Sequence, residues 1–380
     1  MTDAARGPGA EAAVDPQDDP ENSDRSDRPD RPDRLDRTDP PGLPLGALRS
    51  YLDREAPGLL AGPLTGRVVA GGKSNLTYVV GDGARTVVVR RPPLGHVLAT
   101  AHDMVREHRV ITALRDTPVP VPDTYAVCPT DDVVGAPFYV MEHVDGTPYR
   151  TAAQLGVLGA ERTRAVAERM IDTLVDLHRV DPDAVGLGDL RRTGSYLERQ
   201  LRRWHRQVHE STVQDLDVVD AVHARLVARA AELPPSDVRI AHGDYRLGNV
   251  AVGPDGTVRA VFDWELATLG DPLADLGWLI ASWARPDDAV TATLPGPSLV
   301  DGFPERDELV DRYARRSGRD VGDLAFYVAF ARWRSACIGA GVYSRYVGGA
   351  MGGAAEADGG AARLASIQVQ AQAALDALGG

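Results

Sequence analysis

The chain is almost without lysine. Lys73 stands alone, so 41 of the 42 basic residues are arginine. A site that needs a cation anywhere else must use a guanidinium, which is planar, always charged and able to hold a carboxylate or phosphate through two parallel hydrogen bonds. Cysteine is nearly as scarce. Cys128 and Cys337 are too few for a disulfide framework and suit a reducing compartment. No apolar run approaches the roughly eighteen residues of a membrane span, and the N-terminus is acidic, unlike a signal peptide. These absences predict a soluble, cytoplasmic protein with no membrane partner. A basic surface is lacking too. The 380 residues carry a formal net charge of −13 without a Lys/Arg cluster, which excludes nucleic acid as the expected partner. The length suits one two-lobed domain or two modest ones.

Residues 1–42 differ from the rest. An Asp-Arg-x triplet recurs from Asp24 to Arg37 among many prolines, with almost no large apolar side chains. Such a segment cannot bury enough surface to offset its conformational entropy, so a disordered tail is expected. From Leu43 on, the pattern changes. A short helix over Leu48–Glu55 precedes strands at Gly66–Ala70, Leu76–Val80 and Thr86–Arg90, with a small-residue turn at Gly71–Asn75. Strand, small-residue turn, strand is an arrangement that lays backbone N–H groups over phosphates. A P-loop is excluded, because Arg67 stands where its first glycine belongs and a strand follows where it needs a helix. A helix is read over His102–Leu114 and a strand over Phe138–Val144. Beyond Asp145 the pattern is mainly helical: Glu161–Arg179, with Val166, Met170, Leu174 and Leu177 at helical spacing, then Tyr196–Glu210, Leu216–Leu233, Arg306–Ser317, Leu324–Tyr346 and Ala361–Leu378. Arg199, Arg202, Arg203 and Arg206 recur along one of these helices, as a solvated face or as a contact for an anionic group. Trp278, Trp283, Tyr327, Trp333 and Tyr343 are expected mostly in the core, some of them against a pocket.

The densest chemistry lies between His242 and Glu265. His242-Gly243-Asp244 is followed by Asn249 and then by Asp263-Trp264-Glu265. Val238–Ala241 reads as a strand leading in, and Val250–Val252, a Gly253–Gly256 turn and Val258–Phe262 read as a hairpin that brings Asn249 and Asp263 to one edge. His-x-Asp-x-x-x-x-Asn followed by a second Asp is the working core of kinase-type phosphoryl transfer. That reaction needs a carboxylate to take the proton of the acceptor hydroxyl and oxygen ligands to hold Mg²⁺ on the nucleotide phosphates. Asp244 suits the first task, Asn249 and Asp263 the second. His242 is expected to pack, Asp271 or Asp275 to accept backbone N–H bonds from residues 242–244, and Glu265 either to brace the structure or to approach a second metal.

These motifs resemble the aminoglycoside phosphotransferase family of protein-kinase-like small-molecule kinases. The closest likeness is to the branch resembling the kinase domain that some eukaryotic proteins fuse to an acyl-CoA dehydrogenase. The resemblance runs from about residue 43 to 347 and rests on Gly71–Tyr78, Arg90–Pro93, Phe138–Glu142, His242–Asn249, Asp263–Glu265 and Gly270–Leu276. It implies an α+β, two-lobed fold: an antiparallel-sheet N-lobe over 43–145 with a phosphate loop and hinge, and a helical C-lobe over 146–380 with the acceptor pocket. ATP would be cradled by Gly72, Ser74 and Asn75. Its phosphates would be held by Arg90, in the place of the usual kinase lysine and paired with Glu107, with Arg91 as the fallback. Backbone groups of Glu142 and Val144 would meet the adenine edge. The expected activity is transfer of the γ-phosphate of ATP, with Mg²⁺, to a hydroxyl of a small molecule, with a hydroxyacyl-CoA as the acceptor the resemblance suggests. The alternatives are an aminoglycoside or macrolide phosphotransferase and a nucleotide-binding pseudokinase. The acceptor, the oligomeric state and the choice between ATP and GTP stay open at this level.

Overall fold

The computed structural model describes residues 38–69, 75–94, 103–291, 296–347 and 357–379. Runs of β-branched and aromatic residues build the first layer. β1 (Thr65–Val68), β2 (Leu76–Gly81), β3 (Thr86–Arg91), β4 (Thr124–Cys128) and β5 (Phe138–Glu142) form an antiparallel sheet in the order β1-β2-β3-β5-β4. Successive side chains of a strand point to opposite faces, so β3 supplies two cores. Val87 and Val89 join Leu48 and Leu52 of α1 (Leu45–Glu55) on one face. Val88 joins Met104, Ile111 and Leu114 of α2 (Met104–Leu114) on the other. The strand at Thr124–Cys128, where buried and half-buried residues alternate, is an addition to the expected elements.

The parity of β3 also separates the two arginines at its end. Arg91 lies on the α1 side, where its guanidinium donates to the Val134 carbonyl at 2.9 Å and to the Gly42 carbonyl. Residues 39–42, expected in the tail, are held there as well. Asp39 accepts the Leu45 N–H at 3.1 Å, and the Pro41 carbonyl accepts the Tyr78 hydroxyl at 2.7 Å. The packed chain therefore starts before Leu43. Residues 1–37 lie outside the described residues, as do Gly71, Gly72, Lys73 and Ser74 of the expected phosphate loop.

After β5 the chain becomes mostly helical. In order come β6 (Thr147–Pro148), α3 (Ala152–Leu155), α4 (Ala160–Arg179), α5 (Tyr196–His209), α6 (Asp217–Ala230), β7 (Arg239–Ala241), β8 (Val250–Val252), β9 (Val258–Val261), β10 (Thr268–Gly270), α7 (Pro272–Ser282), α8 (Arg306–Ser317), α9 (Leu324–Val347) and α10 (Ala357–Gly379). Two small antiparallel sheets, β6-β8-β9 and β10-β7, flank the His242–Asn249 loop. No helix among the described residues is long and apolar enough to cross a membrane. The central helix is α4, whose Val166, Met170, Leu174 and Leu177 are all fully buried, as their 3.6-residue spacing predicts. Leu174 has no route to relax into solvent. Leu174→Ala should cost about 2–5 kcal/mol, read as a lowered midpoint of thermal or urea unfolding. A change within about 0.5 kcal/mol, as at exposed sites, would contradict its place in the core.

Candidate functional site

The His242–Asn249 loop leaves β7 and is fixed by a single carboxylate from α7. Asp275, almost fully buried, accepts the backbone N–H of His242 at 2.6 Å and that of Gly243 at 2.8 Å. Of the two acidic residues expected for this task, Asp275 performs it. Asp271 instead caps α7, accepting the Leu273 N–H at 2.9 Å, and takes the Tyr327 hydroxyl. Burial pushes the Asp275 carboxyl up, but the hydrogen bond and charge of His178 and the Gly243 N–H outweigh it and leave it below the usual carboxylate range. Gly243 has φ +84°, and a Cβ there would lie 2.7 Å from the Leu266 carbonyl oxygen, so only glycine lets the loop pass this close. The Gly243 carbonyl in turn accepts the buried Arg334 guanidinium at 2.6 Å.

His242 is a packing residue with a directional task. Its Nδ1 accepts the Asp244 N–H at 3.1 Å, which places the ring proton on Nε2 for donation to the Phe262 carbonyl at 2.9 Å. The imidazole therefore spans from Asp244 to the residue before Asp263. The Asp244 carboxylate is oriented from two sides. Trp278 donates its indole N–H to Oδ1 at 2.7 Å, and Asn249 donates its amide to Oδ2 at 2.7 Å and to the Asp244 carbonyl at 2.8 Å. Arg246 closes the open side at 3.2 Å. Because the Asn249 amide nitrogen makes both of those bonds, Oδ1 is the atom it could offer to a cation.

Trp278 belongs to the aromatic group expected mostly in the core, with some members against a pocket, and the structure places it half-buried on Asp244. A signal for it exists in the sequence. Trp278 follows Asp275 by three positions on α7, so both lie on one helix face. One face thus supplies the carboxylate that holds the loop backbone and the indole that holds its acid. Arg334 stacks on the Trp278 ring at 4.5 Å and on the Trp204 ring at 5.2 Å.

Asp263 follows β9 in the left-handed region, φ 67° and ψ 56°, the one non-glycine residue with positive φ among the described residues. A conformation of this kind costs about 1–3 kcal/mol and persists where the surroundings over-determine it. The over-determining contact is Arg90, whose Nη2 lies 3.0 Å from Asp263 Oδ1 while its Nη1 lies 3.1 Å from Glu107 Oε1. The expected Arg90–Glu107 pair is present, and both partners are buried. Burial opposes the Arg90 charge, but Glu107, Tyr139 and Asp263 raise its pKa well above the ordinary arginine value. Burial dominates at Glu107 and raises its carboxyl above the usual range despite Arg90.

Asn75, the one expected phosphate-loop residue that is described, donates its amide to Glu265 Oε2 at 2.9 Å. This bond gives Glu265 a bracing contact. Glu142 donates its N–H to the Asp123 carbonyl at 2.8 Å, and its carboxylate accepts the Asp123 N–H at 3.1 Å. Val144 follows the end of β5, half-buried. Arg106 of α2, not foreseen, donates to the Glu265 and Ala267 carbonyls. Of the arginines on α5, Arg203 stacks on Trp204 at 5.2 Å. Burial lowers its pKa, and Arg334, Arg106 and Arg206 push in the same direction. Arg203 therefore lies within the electrostatic reach of these three guanidiniums.

A family model described as the phosphotransferase enzyme family matches residues 65–327. The chain belongs to this family. Among curated proteins, acyl-CoA dehydrogenase family member 11 of Gallus gallus is 35% identical over 316 residues, which cover 80% of this chain and 40% of that protein. The Homo sapiens member 11 is 33% identical over 309 residues, covering 79% and 39%. The chain thus spans about two-fifths of the length of these relatives. Among solved structures, a putative aminoglycoside phosphotransferase from Ralstonia eutropha superposes with TM-score 0.69 at 31% identity, over 87% of this chain and 98% of that one. An aminoglycoside phosphotransferase solved with AMP-PNP and hygromycin B shares the fold at TM-score 0.57 and 15% identity, over 87% and 98%. The α+β, kinase-like architecture expected from the sequence is the one this family has.

The loop geometry makes a prediction about acid stability. Asp275 has a folded pKa below its unfolded value of about 3.9, so its stabilisation is complete above about pH 4 and is lost as pH falls through the lowered folded pKa. Asp275→Asn leaves a buried N–H badly partnered and should cost about 1–3 kcal/mol near neutrality. Melting temperatures from pH 3 to 7 should show a shallower acid limb in the variant. An unchanged acid limb would place the acid sensitivity elsewhere.

Proposed function

We propose that this phosphotransferase is an ATP-dependent small-molecule kinase whose acceptor is a hydroxylated, anionic metabolite, with a hydroxyacyl-CoA as the leading class. The observation that carries the transfer reading is the Asp244 carboxylate, oriented by Trp278 and Asn249 and tied through the His242 ring to the segment that ends in Asp263. The acceptor oxygen attacks the γ-phosphorus, the bond from that phosphorus to the β,γ-bridging oxygen breaks, ADP leaves, and the hydroxyl proton passes to Asp244. Arg246 must yield its place on that carboxylate to the acceptor hydroxyl.

Asn249 Oδ1 and the Asp263 carboxylate are hard oxygen donors of the kind Mg²⁺ takes, and this donor set fits that ion. Mg²⁺ held there would neutralise charge on the nucleotide phosphates. Arg90 would hold the phosphates, and in doing so would exchange Asp263 for a phosphate oxygen while keeping Glu107. Gly72, Ser74 and Asn75 would close over the phosphates, and the Glu142 and Val144 backbone would meet adenine. ATP use draws support from the neighbour solved with AMP-PNP.

The arginines favour an anionic acceptor over an antibiotic. Arg334 and Arg106 both act electrostatically on Arg203, and Arg334 stacks on the same indole that holds Asp244. A polycationic aminoglycoside would meet repulsion there, whereas a phosphate- or carboxylate-bearing acceptor would be attracted. The curated relatives named as acyl-CoA dehydrogenase family members agree with a CoA thioester.

ATP consumption should be measured across hydroxyacyl-CoA thioesters, other hydroxylated anions and aminoglycosides. Turnover is expected with the anionic acceptors. Turnover with aminoglycosides alone would overturn the acceptor class, and none with any would favour the pseudokinase. With an acceptor in hand, Asp244→Asn should lower kcat about 10²–10⁴-fold while ATP affinity stays nearly unchanged. Full activity in that variant would rule the mechanism out. For nucleotide binding, Arg90→Ala should weaken ATP in calorimetry, Arg90→Lys should retain part of the affinity, and Arg91→Ala should reduce stability instead. The reverse order would mean that Arg91 is the phosphate ligand.

A further inference from the structure

Away from the Asp244 site, α5 and α6 bring three metal-ligating side chains to one point. His205 and His209 are four residues apart on α5, hence on one face, and Asp220 is in the first turn of α6. His205 Nε2 and His209 Nε2 are 3.2 Å apart, and they lie 3.0 and 2.9 Å from Asp220 Oδ1. Hydrogen bonding alone satisfies this triangle poorly. An imidazole Nε2 carries at most one proton. If both rings donate to Asp220, two N–H groups face each other. If one ring donates to the other, one edge to the carboxylate has no proton.

A metal ion resolves the conflict by taking a lone pair from all three atoms. Bonds of about 2.0–2.1 Å to nitrogen and oxygen place neighbouring ligand atoms about 2.9 Å apart in octahedral geometry and about 3.3 Å apart in tetrahedral geometry. The observed separations of 2.9, 3.0 and 3.2 Å fall in that interval. An ion at such a distance from all three would sit about 1 Å above their plane. The three side chains are between a third and a half exposed, so the ion can enter from solvent and keep positions for water. His205 is further fixed by stacking on His223 at 3.9 Å, which in turn stacks on Trp333 at 5.5 Å.

We propose that His205, His209 and Asp220 form a binding site for a borderline divalent transition metal of the Zn²⁺ class, separate from the Mg²⁺ donors Asn249 and Asp263. Two imidazoles and one carboxylate select this class over Mg²⁺, which prefers an all-oxygen shell. The ion would clip α5 to α6. The clip reaches the His242–Asn249 loop through α9, because Trp333 donates to the Val219 carbonyl at 3.0 Å and the next residue, Arg334, holds the Gly243 carbonyl at 2.6 Å.

The test uses the full chain without a histidine tag, stripped with chelator and titrated calorimetrically with Zn²⁺. One equivalent should bind, and the melting temperature should rise with Zn²⁺ concentration. His209→Ala at an exposed position and Asp220→Asn at a half-buried one should weaken binding by more than about a hundredfold, the upper end of what loss of an outer-shell partner costs, with the circular dichroism of the parent retained. Excess Mg²⁺ should leave the Zn²⁺ isotherm unchanged, and added Co²⁺ should give a visible band distinct from its aqua ion. No saturable binding, binding undiminished in both variants, displacement by Mg²⁺ or an aqua-like Co²⁺ spectrum would each overturn the site.

Discussion

Two adjacent backbone N–H groups end on one buried carboxylate, and the geometry of the site descends from that. Asp275 fixes His242 and Gly243. The His242 ring then fixes the Asp244 backbone and Phe262. One helical turn beyond Asp275, Trp278 fixes the Asp244 side chain. The chain of contacts is short, fully buried at Asp275 and half-buried where it reaches Asp244 and Trp278. A buried polar group without a partner costs about 1–3 kcal/mol, so each member of the series discourages alternative positions of the next. A loop that would otherwise sample many conformations is thereby given one.

The near absence of lysine shapes the other half of the site. Arg90 meets Glu107 and Asp263 with different nitrogens of one planar group, which a point-like ammonium could do only with less directional definition. The same chemistry recurs elsewhere. Arg91 satisfies two carbonyls on the far face of the sheet, Arg106 ties α2 to the segment after Asp263, and Arg334 serves a carbonyl and two aromatic faces at once. Arginine thus acts here as a connector between elements. On a protein whose overall charge is negative, arginines also gather on two indoles, Arg203 and Arg334 on Trp204 and Arg334 on Trp278.

Much of this was legible in the linear chain because it is local. The spacing of His242, Asp244, Asn249 and Asp263 spans one loop and one hairpin, where turn chemistry leaves few options. The parity of β3 separates Arg90 from Arg91, since a strand turns successive side chains to opposite faces. The buried stripe of α4 follows from its 3.6-residue period. Even the choice between Asp271 and Asp275 was narrowed to two, and helix position decided it: the first residue caps α7, whereas the second sits inside it with its carboxylate turned to the loop.

Other contacts needed the tertiary structure. Asn75 meets Glu265 across 190 positions, Arg334 meets Gly243 across 91 and Arg106 meets Ala267 across 161. No local propensity encodes such pairs, because they exist only once separate elements have packed and each can be replaced by another partner of like polarity. Trp278 shows the boundary most clearly. Its helix face follows from its distance to Asp275, yet an indole at that spacing fits a core as well as a contact to the Asp244 carboxylate. The His205–His209–Asp220 triangle divides in the same way. The i, i+4 spacing of the histidines belongs to the sequence, but the third ligand arrives on another helix. By itself the sequence determined the order of chemically competent residues and the local shapes that carry them. Packing decided which of those residues meet, because burial and hydrogen-bond satisfaction act on the whole assembled fold.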